Sequence, residues 1–281
     1  MQFIGSILKF FEAEMTTPTI YGWFHVMFIV IMVTACVLMC TFFRNCSERA
    51  ARRIVLVCWL IFLVLEIYKQ LIYTFEYDGS VISADYQWYA FPYQLCSTPM
   101  YVLPFVAFLK DGRLRDAAIA YTVAFSIFGG ICVMIYPGDV FISTVGINIQ
   151  TMIHHGMQIV IGVYLASRYR HRLNFRYFLG GGAVFLVLLL IALVANVGVY
   201  HALRAVGNDE TFNMFYIGPY HDCTLPVLSS IYPKVPYIVF LLMYAVGFSL
   251  AALIIFYATK LTVTLLHRAR VRLGLVAGDE A

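Results

Sequence analysis

Long apolar segments constrain the fold of this chain more than any other feature. Seven stretches of about 20 mostly apolar residues recur along it, and about 20 helical residues cross the hydrocarbon core of a bilayer. Backbone groups inside lipid must hydrogen-bond to one another, so each stretch is predicted to be a helix. The stretches are residues 22–43, 54–75, 88–109, 117–137, 141–167, 176–200 and 235–260.

The composition argues against a soluble protein. Of the 281 residues, 62% are hydrophobic and 12% are charged, and a soluble domain of this length cannot bury so much apolar surface. We therefore predict an all-α polytopic membrane protein with about seven transmembrane helices. The helices are expected to form a single bundle over residues 1–281.

Basic residues give the predicted orientation. Fifteen of the 19 Lys and Arg residues fall in three loops and the C-terminal segment, all on one side of the predicted bundle. The positive-inside rule makes this side cytoplasmic, so the N-terminus is expected outside and the C-terminus in the cytoplasm. Basic loops beside a membrane contact anionic headgroups, and they predict no nucleic-acid partner. The loops are residues 44–53, 110–116 and 168–176.

Three segments lie outside the predicted helices. Residues 1–21 hold a fragmented apolar run that Glu12 and Glu14 interrupt, which indicates an interfacial segment rather than a signal peptide. Residues 201–234, rich in Tyr, Phe and Pro, form a predicted outer loop that either covers a cavity or anchors at the interface. Residues 261–281 form a predicted cytoplasmic tail.

The stretch PYQLCSTP, residues 92–99, is unusual for a membrane helix. If the helix begins near Pro92, Cys96 lies in its second turn, close to a positive helix end that favours thiolate. Pro99 cannot donate to the carbonyl of Leu95, which frees that acceptor beside the thiol. Ser97 and Thr98 can satisfy some of the freed carbonyls. The segment is either a nucleophile site or a prolyl hinge with an incidental cysteine.

The other cysteines indicate no further chemistry. Most of the seven lie in predicted helices, and their spacing suggests no disulfide framework. Cys36 and Cys40 share a helix face, but no His accompanies them. We predict no metal and no cofactor.

The predicted helix over 141–167 carries a seam of polar and small residues. Positions 148, 151, 155, 158 and 162 follow the helical spacing 3, 4, 3, 4, and a second stripe joins 150, 154 and 158. An intramembrane His is either a helix-to-helix hydrogen bond or part of a functional site. The polar residues of the seam are Asn148, Gln150, Thr151, His154, His155 and Gln158.

Six residues are candidates for substrate binding. Glu66 and Lys69 lie three residues apart, so they can form an ion pair that is either structural or part of a headgroup pocket. Gln94 and Gln158 are candidates to stabilise an oxyanion. Asn148 and Thr151 are placed with them as substrate-binding residues because they share the polar seam.

Three blocks of sequence resemble the YwaF-type integral membrane family. These are PYQLCSTPMYVLP (92–104), TMIHHGMQIVIGVYL (151–165) and NMFYIGPYHDCTLPVLSSIYPKVPYIV (213–239). The family has a Leu-Cys-Ser on its third helix, a His-Gly on its fifth and an aromatic, proline-rich loop before its last. The loop pattern differs here, because His221, Asp222 and Cys223 are inserted among the prolines.

The resemblance implies an acyltransferase. An animal relative of the family is a cysteine-dependent enzyme that moves acyl chains onto ether lysophospholipids. By resemblance, Cys96 matches the acyl-accepting cysteine, and His155, which precedes Gly156, matches the catalytic histidine; the adjacent His154 leaves this choice open. The expected partners are membrane phospholipid and lysophospholipid. The expected location is the plasma membrane of a bacterium, or the endoplasmic reticulum or Golgi of a eukaryote.

A non-enzymatic function stays open. A bundle with intramembrane His and Glu-Lys pairs can also bind or carry a lipid, a small molecule or a proton. The enzymatic hypothesis further predicts that the acyl donor is a phospholipid rather than acyl-CoA, because Cys96 is expected in the half of the bilayer opposite the basic loops. Water in place of the acceptor would make the reaction that of a phospholipase.

Overall fold

The computed structural model describes residues 2–274, and these residues are mainly helical. A π-helical turn, Met39–Phe43, extends α2, and another, Thr122–Ser126, joins α5 to α6 in one continuous helix. The elements are α1 (Gln2–Phe11), α2 (Trp23–Leu38), α3 (Glu48–Ile72), β1 (Phe75–Tyr77), β2 (Ile82–Ala84), α4 (Pro99–Phe108), α5 (Arg113–Tyr121), α6 (Ile127–Ile135), α7 (Val145–Arg168), α8 (Phe175–Ala205), α9 (Leu228–Ile231) and α10 (Tyr237–Arg272). Strands β1 and β2 form an antiparallel hairpin that the sequence pattern did not predict.

Side-chain caps mark where two of these helices begin. Ser47 precedes α3, and its hydroxyl accepts a hydrogen bond from the backbone N–H of Ala50 at 3.2 Å. Asn174 precedes α8, and its side chain accepts from the N–H of Tyr177 at 3.0 Å. Such caps satisfy N–H groups that have no partner in the first turn of a helix.

Five helices of the described chain are long and apolar enough to cross a membrane. Five of the seven predicted spans therefore have a helix of suitable length and composition, and the other two differ from the prediction. The five helices are Trp23–Phe43, Glu48–Ile72, Arg113–Ile135, Phe175–Ala205 and Tyr237–Arg272.

The third predicted span, 88–109, is not one helix, and this prediction was wrong. Two 3₁₀ turns, Trp88–Ala90 and Leu95–Ser97, precede the 10-residue helix α4. Pro99 lacks a backbone N–H and holds the first position of α4, where that N–H would have no helical partner. The apolar helical part, Leu95–Phe108, is too short to cross a bilayer by itself.

The fifth predicted span, 141–167, corresponds to α7. This helix has 24 residues, but it is not among the five helices that are long and apolar enough to cross a membrane, because its polar seam lowers its hydropathy. Most of its side chains, including the polar ones, are buried between other helices. Thus α7 belongs to the centre of the bundle.

The helix Arg113–Ile135 lies beside α7 at the centre. In its most apolar window 72% of the residues are buried, compared with 6 to 28% in the other four candidate spans. Glycines allow the close approach: a Cβ added at Gly130 would lie 2.7 Å from the carbonyl oxygen of His155. A Cβ at Gly181 of α8 would lie 2.7 Å from the backbone nitrogen of Tyr121. Small residues at such contacts are typical of packed membrane helices.

The predicted basic loops meet at one end of the bundle, which we call the basic end. There Arg168 donates to the carbonyl oxygens of Arg44 and Cys46 at 3.1 and 2.7 Å, and Arg270 donates to that of Cys40 at 3.1 Å. Contacts at the other end include one from Trp88 N to the Glu210 carboxylate at 3.1 Å. The side of the membrane that each end faces stays a prediction.

The bounds of the three segments predicted outside the helices differ from those in the structure. Helix α1 covers part of the predicted interfacial segment 1–21. Helix α8 continues to Ala205, so the predicted outer loop 201–234 begins later than expected. Helix α10 continues to Arg272 and takes up most of the predicted tail 261–281, of which residues 275–281 lie outside the described residues.

Candidate functional site

Cys96 lies in the 3₁₀ turn Leu95–Ser97, immediately before α4. The expectation that a regular helix begins near Pro92 was wrong, and Cys96 precedes the helix instead of lying in its second turn. The turn is closed by Ser97 N, which donates to the carbonyl oxygen of Gln94 at 2.8 Å. Cys96 as a residue is half-buried.

The carbonyl of Leu95, to which Pro99 cannot donate, is satisfied by Thr98, one of the two residues expected to do so. It accepts from the hydroxyl of Thr98 at 2.5 Å and from the Thr98 N–H at 3.3 Å. Because the Thr98 proton points to Leu95, the hydroxyl of Tyr121 donates to Thr98 Oγ1, at 2.5 Å. Thr98 and Tyr121 are both fully buried, so this chain of bonds holds the start of α4 from inside the bundle.

The carbonyl of Cys96 itself is held by α7. His154 Nε2 and Gln158 Nε2 each donate to this oxygen at 2.9 Å. A carbonyl oxygen only accepts, so Nε2 of His154 carries a proton. Two side chains of the predicted polar seam therefore position the backbone of the predicted nucleophile.

The tandem histidines each keep one unpaired ring nitrogen. His155 donates from Nδ1 to the carbonyl oxygen of Thr151 at 2.7 Å, which leaves Nε2 as the lone-pair nitrogen of the neutral ring. In His154 the lone-pair nitrogen is Nδ1. Both atoms are buried and without a hydrogen-bond partner, as is Oε1 of Gln158. The ring centroids of His154 and His155 are 5.2 Å apart, and those of His154 and Phe62 are 4.8 Å apart with the rings nearly perpendicular.

The predicted pair of Glu66 and Lys69 is formed. Lys69 Nζ lies 2.7 Å from Glu66 Oε1, which also accepts from Gln70 at 2.8 Å. Oε2 of Glu66 is buried without a partner. Both charges are close enough to act electrostatically on the thiol of Cys96, so the structure brings this pair and the cysteine into one region.

The other predicted substrate-binding residues make structural contacts. The amide of Gln94 donates to the carbonyl of Asn213 at 3.0 Å and accepts from the N–H of Phe215 at 2.7 Å. Asn148 bonds both backbone groups of Ile142, at 2.7 and 3.0 Å, and so holds the loop that leads into α7. The hydroxyl of Thr151 donates to Gln150 Oε1 at 3.4 Å. Their roles in substrate binding stay predictions.

The outer loop is built into the bundle near Cys96. Asn196 of α8 pairs with both backbone groups of Met214, at 2.9 and 2.7 Å, and Met214 and Phe215 are fully buried. Phe215 and Tyr216 both adopt positive φ, which non-glycine residues rarely do. Since Gln94 also binds this loop, the loop and the Cys96 turn are fixed relative to each other.

Several residues near the site carried no clear signal in the sequence. Tyr121 is one example, since nothing local distinguishes its hydroxyl from others in apolar helices. Trp59 donates from its indole N–H to the carbonyl of Met100 at 2.8 Å, the acceptor that Pro104 cannot serve. The adjacent Gly129 and Gly130 of α6 face Gln158 and His155, and a Gly-Gly pair in an apolar helix does indicate close packing. Within residues 2–274 no three His, Cys, Asp or Glu side chains are grouped to hold a metal ion.

Comparison with known proteins identifies the family. The model of the TMEM164 family matches residues 20–260 of this chain, and the chain therefore belongs to the TMEM164 family, a family of membrane proteins. No curated protein and no solved structure matches it. Together with the apolar helices, the match identifies a multi-pass integral membrane protein. The resemblance to YwaF-type proteins stays a prediction.

Proposed function

We propose that this TMEM164-family protein is a phospholipid acyltransferase that works through an acyl-thioester on Cys96. One observation supports the proposal above all: Cys96 lies in a turn before a short helix, and His154 and Gln158 both hold its carbonyl. Buried imidazole nitrogens with free lone pairs lie on the same element, α7. A cysteine nucleophile needs a positioned base of this kind.

The two half-reactions balance with one base. In the first, the thiol gives its proton to the histidine, the thiolate attacks an ester carbonyl of a phospholipid, and the ester C–O bond breaks. The leaving lysophospholipid oxygen takes the proton back. In the second, the hydroxyl of an acceptor lysolipid gives its proton to the histidine, attacks the thioester and releases the thiolate, which is reprotonated. Water in place of the acceptor gives a free fatty acid.

We assign the base to His155 and a positioning role to His154. His154 uses its Nε2 proton to hold the Cys96 carbonyl, so that ring is fixed by the backbone it supports. His155 directs Nδ1 at its own helix and keeps Nε2, the ring nitrogen farther from the backbone, free to accept a proton. The pair Glu66–Lys69 is proposed to contact the headgroup, as its charges lie close to the thiol.

The proposed acyl donor is a phospholipid rather than acyl-CoA. Gln94, two residues before Cys96, binds the loop at Asn213, which lies at the end of the bundle opposite the basic loops. With the basic end in the cytoplasm, a charged CoA ester would have to cross the bundle, whereas a phospholipid of the outer leaflet reaches Cys96 by lateral diffusion.

Mass spectrometry and transfer assays test the proposal together. Purified protein in liposomes receives acyl-labelled phosphatidylcholine and an unlabelled lysolipid acceptor, with no CoA ester. We expect labelled acceptor, and an acyl adduct on the peptide containing Cys96 after denaturation. Cys96→Ala should abolish both, while Cys132→Ala, which removes an exposed cysteine of α6, should leave both intact.

Two results would refute parts of this scheme. Transfer that requires added acyl-CoA would overturn the donor assignment while keeping the thioester. Absence of any adduct and any transfer, with lipid binding retained, would favour the alternative of a non-enzymatic lipid-binding or transport protein.

A further inference from the structure

A groove at the basic end carries a second, independent site. It opens between the first turns of α3 and the last turn of α4 and has a volume of about 410 Å³. We call it the basic groove, and its main lining residues are Glu48, Arg49, Arg52, Arg53, Leu56 and Phe108.

The groove is amphipathic along its length. Its arginines lie in the first turns of α3, next to the capping residue Ser47. Leu56 lies eight residues beyond Glu48, about 12 Å further along the helix at 1.5 Å per residue. Phe108 is 62% exposed and contributes an apolar surface near Leu56. A molecule that fills the groove therefore needs one anionic and one apolar part.

The acidic side chains near the groove do not pair with all of its arginines. The carboxylate of Glu48 is already paired with Arg115 at 2.5 Å and with Arg168 at 3.0 Å. Arg52 is anchored to the carbonyls of Ala107 and Leu109 and to Asp111.

Two arginines of the groove differ from Arg52 in this respect. Arg49 and Arg53, one helical turn apart, are exposed, and their side chains make no hydrogen bond or ion pair within the described part of the chain. These two guanidinium groups are the ones available to an anion.

We propose that the basic groove binds an anionic phospholipid, with its phosphate on Arg49 and Arg53 and an acyl chain against Leu56 and Phe108. Basic pockets between membrane helices are suited to anionic headgroups, because the charged end lies at headgroup level and the apolar end in the hydrocarbon. The site is separate from Cys96, because neither Cys96 nor the α7 side chains that hold its carbonyl line the groove. It therefore does not depend on the acyltransferase proposal or on which side of the membrane the basic end faces.

Native mass spectrometry of the purified chain tests this site. The protein in detergent is titrated with phosphatidylglycerol, and retained lipid is counted at two salt concentrations. The wild type should retain one phosphatidylglycerol, less at high salt, and should prefer it to phosphatidylcholine. The double variant Arg49→Gln/Arg53→Gln should bind it about 30-fold more weakly, from about fivefold for each lost charge.

A matched double variant controls for net charge. Arg113→Gln/Arg176→Gln removes two exposed arginines of the same end that do not line the groove, and its affinity should stay within about threefold of the wild type. Equal losses in both double variants would refute a specific site and leave only diffuse attraction.

Two competitors distinguish a lipid from other anions. Glycerol phosphate, the headgroup without chains, should fail to displace phosphatidylglycerol at millimolar concentration; displacement would mean an anion site without lipid specificity. Acyl-CoA should not displace it more strongly than a second anionic phospholipid does. Stronger displacement by acyl-CoA, lost in Arg49→Gln/Arg53→Gln, would overturn the proposal in favour of a CoA-ester site.

Discussion

Two polar clusters lie inside this bundle, and they differ in how completely their atoms are paired. We call the first the Glu48 cluster: at the basic end, the carboxylate of Glu48 accepts from Arg115, Arg168 and Tyr169. Arg115 is 2% exposed, and its three nitrogens donate to the carbonyl of Val106, to Asp111, to Glu48 and to Tyr169. In the Glu48 cluster, as far as the described residues show, the one buried side-chain atom without a hydrogen-bond partner is Nε of Arg168.

The second is the Cys96 cluster, formed by Cys96, His154, His155 and Gln158. Here three buried polar atoms lack a partner: Nδ1 of His154, Nε2 of His155 and Oε1 of Gln158. A buried polar atom without a hydrogen bond costs about 1–3 kcal/mol, so a protein keeps several together only for a reason. Nearly complete pairing is typical of a structural network, whereas several unpaired atoms around a half-buried cysteine are typical of a site that receives a ligand.

The largest expected effect concerns the histidines of the Cys96 cluster. His155→Ala should lower acyl transfer about 10²–10⁴-fold, the usual range for loss of a general base, with little loss of stability. His154→Ala should cost less, because Gln158 still holds the Cys96 carbonyl. Transfer rates per folded molecule in liposomes measure both. A larger loss at His154 would reverse the assignment of base and positioning residue.

The Glu48 cluster should respond in the opposite way. Glu48→Gln leaves the buried guanidinium of Arg115 with one carboxylate, that of Asp111, instead of two. We expect the free energy of unfolding in detergent to fall by about 3 kcal/mol, at the low end for a broken buried pair because the Glu48 side chain is 40% exposed. Transfer activity per folded molecule should not change. The control is Glu76→Gln, at an exposed position of β1, with an expected change within about 0.5 kcal/mol.

Two adjacent glycines of α6 test how closely this helix packs against the Cys96 cluster. A Cβ at Gly130 would lie 2.7 Å from the His155 carbonyl oxygen, so Gly130→Ala must push α6 from α7. We expect an overpacking cost of about 1–3 kcal/mol, partly offset by the helix propensity of alanine, about 1 kcal/mol. At Gly129 the nearest atoms are 3.4 and 4.0 Å away, so Gly129→Ala should be neutral or stabilising. Equal destabilisation in unfolding experiments would contradict this account of the contact.

The smallest expected effect is that of Gln158→Leu. This change removes one of the two donors to the Cys96 carbonyl and also one buried unpaired oxygen, so the two contributions to stability nearly cancel. Transfer should fall about fivefold to tenfold through looser positioning of the thiol, corresponding to about 1 kcal/mol. The rate of alkylation of Cys96 by a small maleimide should change in this variant and stay unchanged in Asn148→Leu, which alters the same helix away from Cys96. Unchanged alkylation in Gln158→Leu would remove Gln158 from the positioning role.

The sequence by itself determined the features that local pattern encodes. Hydropathy identified five helices that suit a membrane, and the distribution of Arg and Lys identified loops that do meet at one end. The spacing of Glu66 and Lys69 predicted an ion pair that is present at 2.7 Å. Helical periodicity also brought His154 and Gln158 onto one face of α7, and both contact the same carbonyl.

Only the tertiary structure decided how the Cys96 turn is held. Hydropathy could not show that 88–109 breaks into turns and a short helix, because the carbonyls of Cys96 and Met100 are held by side chains far away in sequence. Cys96 and His154 are 58 positions apart, and Thr98 and Tyr121 are 23 apart. A local pattern records which residues can turn toward the interior of the bundle. Which acceptor each one finds there depends on helix packing, and the unpaired nitrogen of His155 follows from that packing alone.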